Sequence, residues 1–429
     1  MDRALSRLSV FSWALYDLAN TIFSMNIVSL YYSLYVVNVM GGTDATYGDA
    51  NSLSMLLMFL TAPLLGAISD QFGRRKPFLV ASTLVCVTLT FFLGTSALTL
   101  SLALFVFANY AFQAGLIFYD SLLADVSTEE NRGRVGGLGI GLGYLGSFIG
   151  VGSGLLLLDR IGYPGMFRLT AVLFLVFAVP CFLFVKEQPK PRSRSGRRTV
   201  VEAFRQVFAT LRHVRQYRDL PRFLLGRLFY ADAVNTVIVF MGIYVTNEVG
   251  FTETQAQVVL LVAVAAAVVG GFLWGIVVDR TSPKRSLDAV LLLWMVDLLA
   301  AAAIAYLHLP SWLFWIVACL AGIALGGTWA ADRPLMLRLA PPEYLGEFYG
   351  LYSMVGRFAN ITGPFLWGVI VDRLGWGRPA AILYLLGFVL LSYLVLRPVD
   401  DSPRDPSRNR DPLQPLSHSL SPPDGQNSP

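Results

Sequence analysis

Twelve apolar runs, each long enough to cross a bilayer, constrain this chain more than any other feature. They fall at about 11–37, 50–69, 77–95, 100–123, 135–158, 165–185, 223–246, 256–278, 286–307, 311–337, 347–371 and 379–396. A bilayer's hydrocarbon core is ~30 Å thick, so a helix rising 1.5 Å per residue needs ~20 apolar residues to span it. Lipid cannot satisfy backbone N–H and C=O groups, so such runs must be helices. The weak alternation of a membrane β-barrel is absent. Of the 429 residues, 55% are hydrophobic and only 14% charged, with a mean hydropathy of +0.59. A soluble domain carries about 25% charged residues. A cytosolic enzyme, a disulfide-stapled secreted domain and a nucleic-acid-binding domain are therefore excluded.

The basic residues set the orientation. With the N-terminus inside, 27 Lys and Arg fall in inside segments and four outside, namely Arg160, Arg168, Arg373 and Arg378. Cytoplasmic loops carry such an excess. The sequence pI of about 9.1 thus marks a cytoplasmic face lying against anionic lipid, with no nucleic-acid partner. The expected product is an all-α, multi-pass integral membrane protein of twelve transmembrane helices, with both termini cytoplasmic; in a bacterium it would lie in the inner membrane. The first apolar run is too long for a cleaved signal and is expected to be retained as the first span. Cys86, Cys181 and Cys319 are isolated in apolar runs, and His213, His308 and His418 avoid the span centres. No metal site, cofactor or enzymatic constellation is expected from them.

The longest loop divides the chain into residues 1–185 (six spans), 186–222 (linker), 223–397 (six spans) and a tail, 398–429. Val200, Phe204, Val207, Phe208, Leu211 and Val214 form one helical stripe among arginines, which predicts a basic amphipathic helix on the inner leaflet; a solvated linker helix is the alternative. The tail holds eight prolines in 32 residues and is expected to be disordered.

The two sets of six spans repeat one another. Asp17-Leu-Ala-Asn20-Thr21 recurs as Asp232-Ala-Val-Asn235-Thr236, and Gly66-x-x-x-Asp70 as Gly275-x-x-x-Asp279. Gly133, Gly137, Gly143 and Gly150 recur as Gly346, Gly350, Gly356 and Gly363 at a constant offset of 213. A duplicated six-helix unit places a binding site between its copies.

Gly66-Ala-Ile-Ser-Asp70-Gln-Phe-Gly73-Arg74-Arg75-Lys76 resembles the loop signature of the major facilitator superfamily. Ser12-Trp13-Ala14-Leu15-Tyr16-Asp17-Leu18-Ala19-Asn20, Phe118-Tyr119-Asp120-Ser121 and Glu347-Phe348-Tyr349-Gly350-Leu351-Tyr352-Ser353 are similar to its vacuole-effluxer-like branch, the autophagy-related amino-acid effluxers and their bacterial relatives. The resemblance covers roughly 11–396. It implies a two-repeat transporter whose first, fourth, seventh and tenth spans line a central cavity. Asp120 stands where the branch has Asn, and Ala231 where it has Asn before Asp232, so the substrate can differ from amino acids.

A charge at mid-bilayer costs ~2.5–3.5 kcal/mol on insertion scales, so each one calls for a reason. Asp17 with Asn20, and Asp232 with Asn235, can bind a proton or a cationic group, or can clasp neighbouring helices. Arg357 is the candidate partner for a substrate carboxylate, or for Asp17 or Asp232. Arg227 is expected to snorkel to the interface, and Asp297 to have a structural partner. Asp70, Arg74, Arg134 and Asp279 are the gating candidates of the loop signatures. Asp120 opposite Arg333 suits an inner-gate ion pair. Nine glycines between Gly136 and Gly154, with Gly137/Gly141 and Gly146/Gly150 at GxxxG spacing, predict close helix packing. Tyr16, Phe23, Tyr31, Tyr32, Tyr119, Trp329 and Tyr352 are expected near the cavity, many of them in helix packing or the interfacial belt and a few walling a partly apolar site.

Three functions compete. The first is a secondary active transporter, working as a monomer, that moves a small amphipathic solute by alternating access, with proton-coupled amino-acid export the version implied by the resemblance. The second is an exporter of hydrophobic or lipid-like compounds. The third is a non-transporting membrane sensor, which has no need of Asp17, Asp232 and Arg357 inside the membrane.

Overall fold

The computed structural model describes residues 7–72, 74–94, 97–128, 132–187, 212, 214, 215, 217, 219–340 and 345–401. The stripe at 200–211 and the tail beyond 401 lie outside them, as do the side chains of Asp70 and Arg134. The described residues are helical throughout, in the order α1 (Arg7–Val39), α2 (Asp44–Phe72), α3 (Lys76–Phe91), α4 (Leu98–Val126), α5 (132–161), α6 (163–184), α7 (Leu220–Asn247), α8 (Glu253–Arg280), α9 (Pro283–Tyr306), α10 (Phe314–Leu339), α11 (Leu345–Gly368) and α12 (Arg378–Leu396). Helices α5 and α6 run into one another at Gly162, whose φ of 63° and ψ of 179° fold the chain back on itself. Glycine takes that left-handed φ without the clash a Cβ would bring. Nine stretches among the described residues are long and apolar enough to cross a membrane, one of them the double-length 135–184; α3, at 16 residues, is shorter than its apolar run suggested.

The sequence places the helix ends. Thr252 and Gln255 form a reciprocal capping box at the start of α8. Ser282 caps α9, with Pro283 in its first turn. Glu187, beyond α6, accepts the backbone N–H groups of Arg75 and Lys76 at the start of α3, where a carboxylate suits the helix dipole. Lys76 in turn donates to the Val185 carbonyl at 2.8 Å.

Helix α1 departs from a continuous α-helix. Its turns widen to π geometry at Ser24–Leu30 and again at Tyr35–Val39, with a break at Leu30 (φ −130°, ψ −78°). Apolar periodicity cannot reveal one inserted residue per turn, and π-bulges favour functional sites. Glycines 139, 143, 146, 150 and 154 of α5 lie against α1, so the GxxxG pair Gly146/Gly150 packs as expected; Gly137 and Gly141 face open space, against expectation.

Helices α1–α6 pack mainly among themselves, as do α7–α12; α2 with α11, α5 with α8 and α1 with α7 join the two sets. A cluster of hydrogen bonds and ion pairs joins the two sets at one end, that of residues 40–43, 248–252 and 374–377. Asp44, fully buried, takes a forked pair of hydrogen bonds from Arg378 at 2.9 and 2.8 Å and a third from Trp367 Nε1 at 2.9 Å. Arg378 also reaches Glu248 at 3.2 Å. Arg373 pairs with Asp49, the Ala45 amide donates to Asp372, and Asn247 donates to Asn38 at 3.1 Å. Gly48 lets α2 and α11 meet backbone to backbone, because a Cβ there would strike the Pro364 carbonyl. We call this the clamped end, and the opposite one, with Arg74 to Lys76 and Arg280 to Arg285, the basic end.

Candidate functional site

Charged residues of both halves converge between the clamp and the basic end. Asp17 on α1 lies within electrostatic reach of Asp120 on α4 and Arg333 on α10. Asp120 is in reach of Arg333 and of Arg357 on α11. No ion pair within 4 Å joins any of these four among the described residues, and the Arg357 Nη1 atom is buried without a hydrogen-bond partner. Asn20, one turn from Asp17, is buried with neither amide atom hydrogen-bonded; it lies near the Asp17 carboxylate, short of a hydrogen bond. A buried amide with both functions idle costs free energy that a polar ligand would recover. Two carboxylates and two guanidiniums, separated and facing one another, match the charges of a zwitterion.

The expected Asp120–Arg333 contact is thus not made in this conformation, in which both side chains are exposed. Arg357 pairs with neither Asp17 nor Asp232. Arg74 and Asp279 are exposed at the basic end.

Asp232 is placed differently from Asp17. Its side chain is only 1% exposed; Thr362 of α11 donates to Oδ1, and Tyr384 of α12 donates to Oδ2 at 3.3 Å. Gly363 leaves room beneath the carboxylate, and Thr236 turns to its own helix's Asp232 carbonyl at 2.7 Å. This geometry is the interhelical clasp of the two readings above. Asn235 is half-buried beside it. Asp232→Leu, which leaves both hydroxyls without an acceptor, is expected to lose about 1–3 kcal/mol of stability. Asp232→Asn, which keeps one acceptor, should lose less. Thermal unfolding in detergent measures both, and equal losses would refute the clasp.

Arg227 corrects an expectation. It does not snorkel: it is 5% exposed and donates through Nε to Asp332 at 3.2 Å and through Nη1 to the Tyr352 carbonyl at 3.0 Å. Its guanidinium stacks 3.6 Å from the centre of the Tyr352 ring. Asp332 also accepts from Tyr230 at 2.5 Å and from the Tyr352 hydroxyl at 2.7 Å. The signal was available in sequence, since Arg227 and Asp332 are complementary charges in neighbouring spans, but distance along the chain hid it. The duplicate positions in the first half hold Tyr119 for Asp332 and Gly139 for Tyr352, at the same offset of 213. There Trp13, Tyr119 and Tyr16 stack, with ring centres 4.7 and 4.9 Å apart.

Asp297 is a second correction: its Oδ1 atom is buried with no partner. The seven aromatics expected near the cavity serve mostly as helix packing. Tyr16, Phe23, Tyr31, Tyr32, Tyr119 and Tyr352 are buried in helix packing, and Trp329 alone of the seven is half-buried. The clamp residues Asp44, Glu248 and Arg378 were missed by sequence reasoning, which counted Arg378 only as an outside charge.

Comparison with known proteins bears on these sites. The family profile described as vacuole effluxer Atg22 like matches residues 34–404. The chain belongs to this family. An uncharacterized MFS-type transporter of Bacillus subtilis, YxiO, is 27% identical over 414 residues, covering 89% of this chain and 94% of its own. Autophagy-related protein 22-1 of Penicillium rubens is 27% identical over 298 residues; the match covers 63% of this chain and 50% of the fungal one. Among solved structures, the nucleoside transporter NupG aligns with a TM-score of 0.71 at 13% identity, over 91% of this chain and 98% of its own. A bacterial homolog of the human lysosomal transporter Spinster, inward-facing and unoccupied, aligns at 0.68 and 16% identity, over 95% and 100%. These two likenesses concern the fold. The chain is an integral, multi-pass membrane transporter of the MFS type and not an enzyme, as its family and relatives are.

Proposed function

We propose that this transporter is a secondary carrier of small zwitterionic, amphipathic solutes, amino acids or similar, exported by alternating access and coupled to protons. Twelve spans with both termini cytoplasmic put the clamp outside and the basic end inside. Residues 1–185 and 223–397 are then the two bodies that rock, joined by 186–222, and the described conformation is closed to the outside. The observation that carries the reading is the set of charged residues Asp17 and Asp120 on one body within electrostatic reach of Arg333 and Arg357 on the other, with no ion pair among them, and beside them the idle amide of Asn20. A solute ammonium has carboxylates to meet and its carboxylate has guanidiniums, so the solute itself can draw the two bodies together. The description of the family, vacuole effluxer, supports export.

Asp17 is the better proton carrier in this arrangement. It is half-buried, while both carboxylate oxygens of Asp232 are occupied by hydroxyl donors. Proteoliposomes loaded with a panel of labelled amino acids, with and without a pH gradient, test the proposal. The wild type is expected to concentrate at least one of them along the gradient. Asp17→Asn should abolish gradient-driven accumulation and retain exchange. Arg357→Gln should raise the half-saturating concentration about tenfold or more, as the loss of a charge-assisted hydrogen bond implies. A wild type indifferent to both the pH gradient and the whole panel would overturn the reading.

Asp120 and Arg333 are proposed to close the basic end in the opposite conformation. A double-mutant cycle on transport should then show coupling above about 0.5 kcal/mol, although the two side chains stand apart here. Additive effects would remove them from the gate.

A further inference from the structure

Between the widened first π turn of α1 and the helices α7, α8, α9 and α10 lies a cavity of about 840 Å³, its mouth included. Its walls are aliphatic, aromatic and thioether groups, such as Met25, Met241, Val259, Phe314 and Leu325. The indole N–H of Trp294, which also lines it, is already committed to Thr328 at 2.9 Å. One polar group on the wall is idle: the Ser29 hydroxyl, 2% exposed and without a hydrogen-bond partner.

We propose that this cavity binds a single hydrocarbon chain of an amphiphile, with the Ser29 hydroxyl donating to a carboxyl or ester oxygen at the chain's head. Water is a poor occupant, because a buried water needs two to four polar partners and the wall offers one. Emptiness is costly too, since protein interiors pack densely and voids forfeit dispersion contacts. Its shape favours a chain over a compact solute. The wall runs from Val237 to Val245 on α7 and from Phe314 to Leu325 on α10, about 12 and 16 Å at 1.5 Å per residue. The α1 turn explains the idle hydroxyl: π geometry carries Ser29 to the cavity wall, whereas Ser33, one turn on, bonds back to the Leu30 carbonyl at 2.9 Å. This site is separate from the charged cluster, and binding there is read without transport, so the inference stands or falls independently of the proposed function.

The chain can come from a free amphiphile or from the bilayer. The full-length protein in nanodiscs of phosphatidylcholine and phosphatidylglycerol is exposed to a fatty acid carrying a diazirine at its methyl end or, separately, to phosphatidylcholine carrying the same group on one acyl chain. Cross-linked residues are then mapped by peptide mass spectrometry. The lipid-facing control is Phe272, on α8 and 75% exposed. Label concentrated at 237–245, 256–264 and 314–325, above that at Phe272, is the expected result. The fatty acid alone giving it identifies a free amphiphile; phosphatidylcholine giving it as well identifies a bilayer chain. Ala318→Phe and Val259→Phe, which fill the cavity from α10 and α8, should each lower that label about tenfold. Ser29→Ala should weaken capture of the fatty acid. Wild-type label no denser in these segments than at Phe272 with both probes overturns the proposal, as does label unchanged in both filled variants.

Discussion

Asp44→Ala should swing the transporter out of the conformation described here. Asp44 is fully buried and holds Arg378 by a forked pair of part-buried bonds and Trp367 by a third, all across the two halves. Because Arg378 is partly exposed and keeps Glu248, the loss is that of charge-assisted hydrogen bonds, about 1.5–3 kcal/mol, rather than that of an orphaned buried ion. The opposite conformation does not need these contacts, so the cost falls on one side of the equilibrium. A bias of that size shifts a two-state population by a factor of roughly 10 to 150. Spin labels on the exposed residues Val39 and Thr254, at the clamped ends of the two halves, report it. Their distance distribution should move to longer separations, and Arg378→Ala should do the same. Arg373→Ala, at a pair that is more than two-fifths exposed on both sides, should shift it little. An unchanged distribution in Asp44→Ala would mean that apolar packing, not the clamp, closes this end.

The second large effect concerns stability. Asp332→Asn leaves the Arg227 guanidinium buried in the second half without its counter-charge. A loss of about 3–5 kcal/mol is expected, the range for an orphaned buried ion. The double variant Arg227→Met, Asp332→Leu removes both charges and should recover a substantial part of that loss, because the desolvation of the pair is relieved with it. Tyr230 and the Tyr352 hydroxyl keep it from full recovery, since each loses its acceptor. Unfolding in detergent by heat or by added sodium dodecyl sulfate measures both variants. A double variant less stable than Asp332→Asn would refute this account of the cluster.

Much of this architecture was legible from twelve apolar runs and one duplicated pattern, because lipid leaves a chain few structural choices. The family was legible too, in the Asp17–Asn20 and Tyr119–Asp120 segments. Sequence reasoning failed where side-chain partners are far apart in the chain. Asp44 and Arg378 are separated by 334 positions, and nothing local to either marks them as a pair. Arg227 read as an interfacial charge because its position near a span end was visible and its partner was not. The π turns of α1 escaped for another reason: one extra residue per turn rotates the face of a helix without changing its composition. Asp232 shows the converse. Its position in the chain could not distinguish a clasp from a ligand site; the hydroxyls of Thr362 and Tyr384 on its carboxylate favour the clasp, which the Asp232→Leu and Asp232→Asn comparison tests.

The two halves bury the same position with different chemistry, an aromatic stack in the first and an ion cluster in the second, and this difference matters while the chain is still being made. The guanidinium in α7 precedes its carboxylate in α10 by 105 residues. At about 5–20 residues per second of synthesis, α7 waits roughly 5–20 s before Asp332 exists. Until then the arginine, near the start of α7, can only snorkel toward the near interface, so the buried cluster is a product of α10 docking and not of the insertion of α7. The equivalent place in the first half, Tyr119, needs no charged partner and can bury as soon as its aromatic neighbours are made.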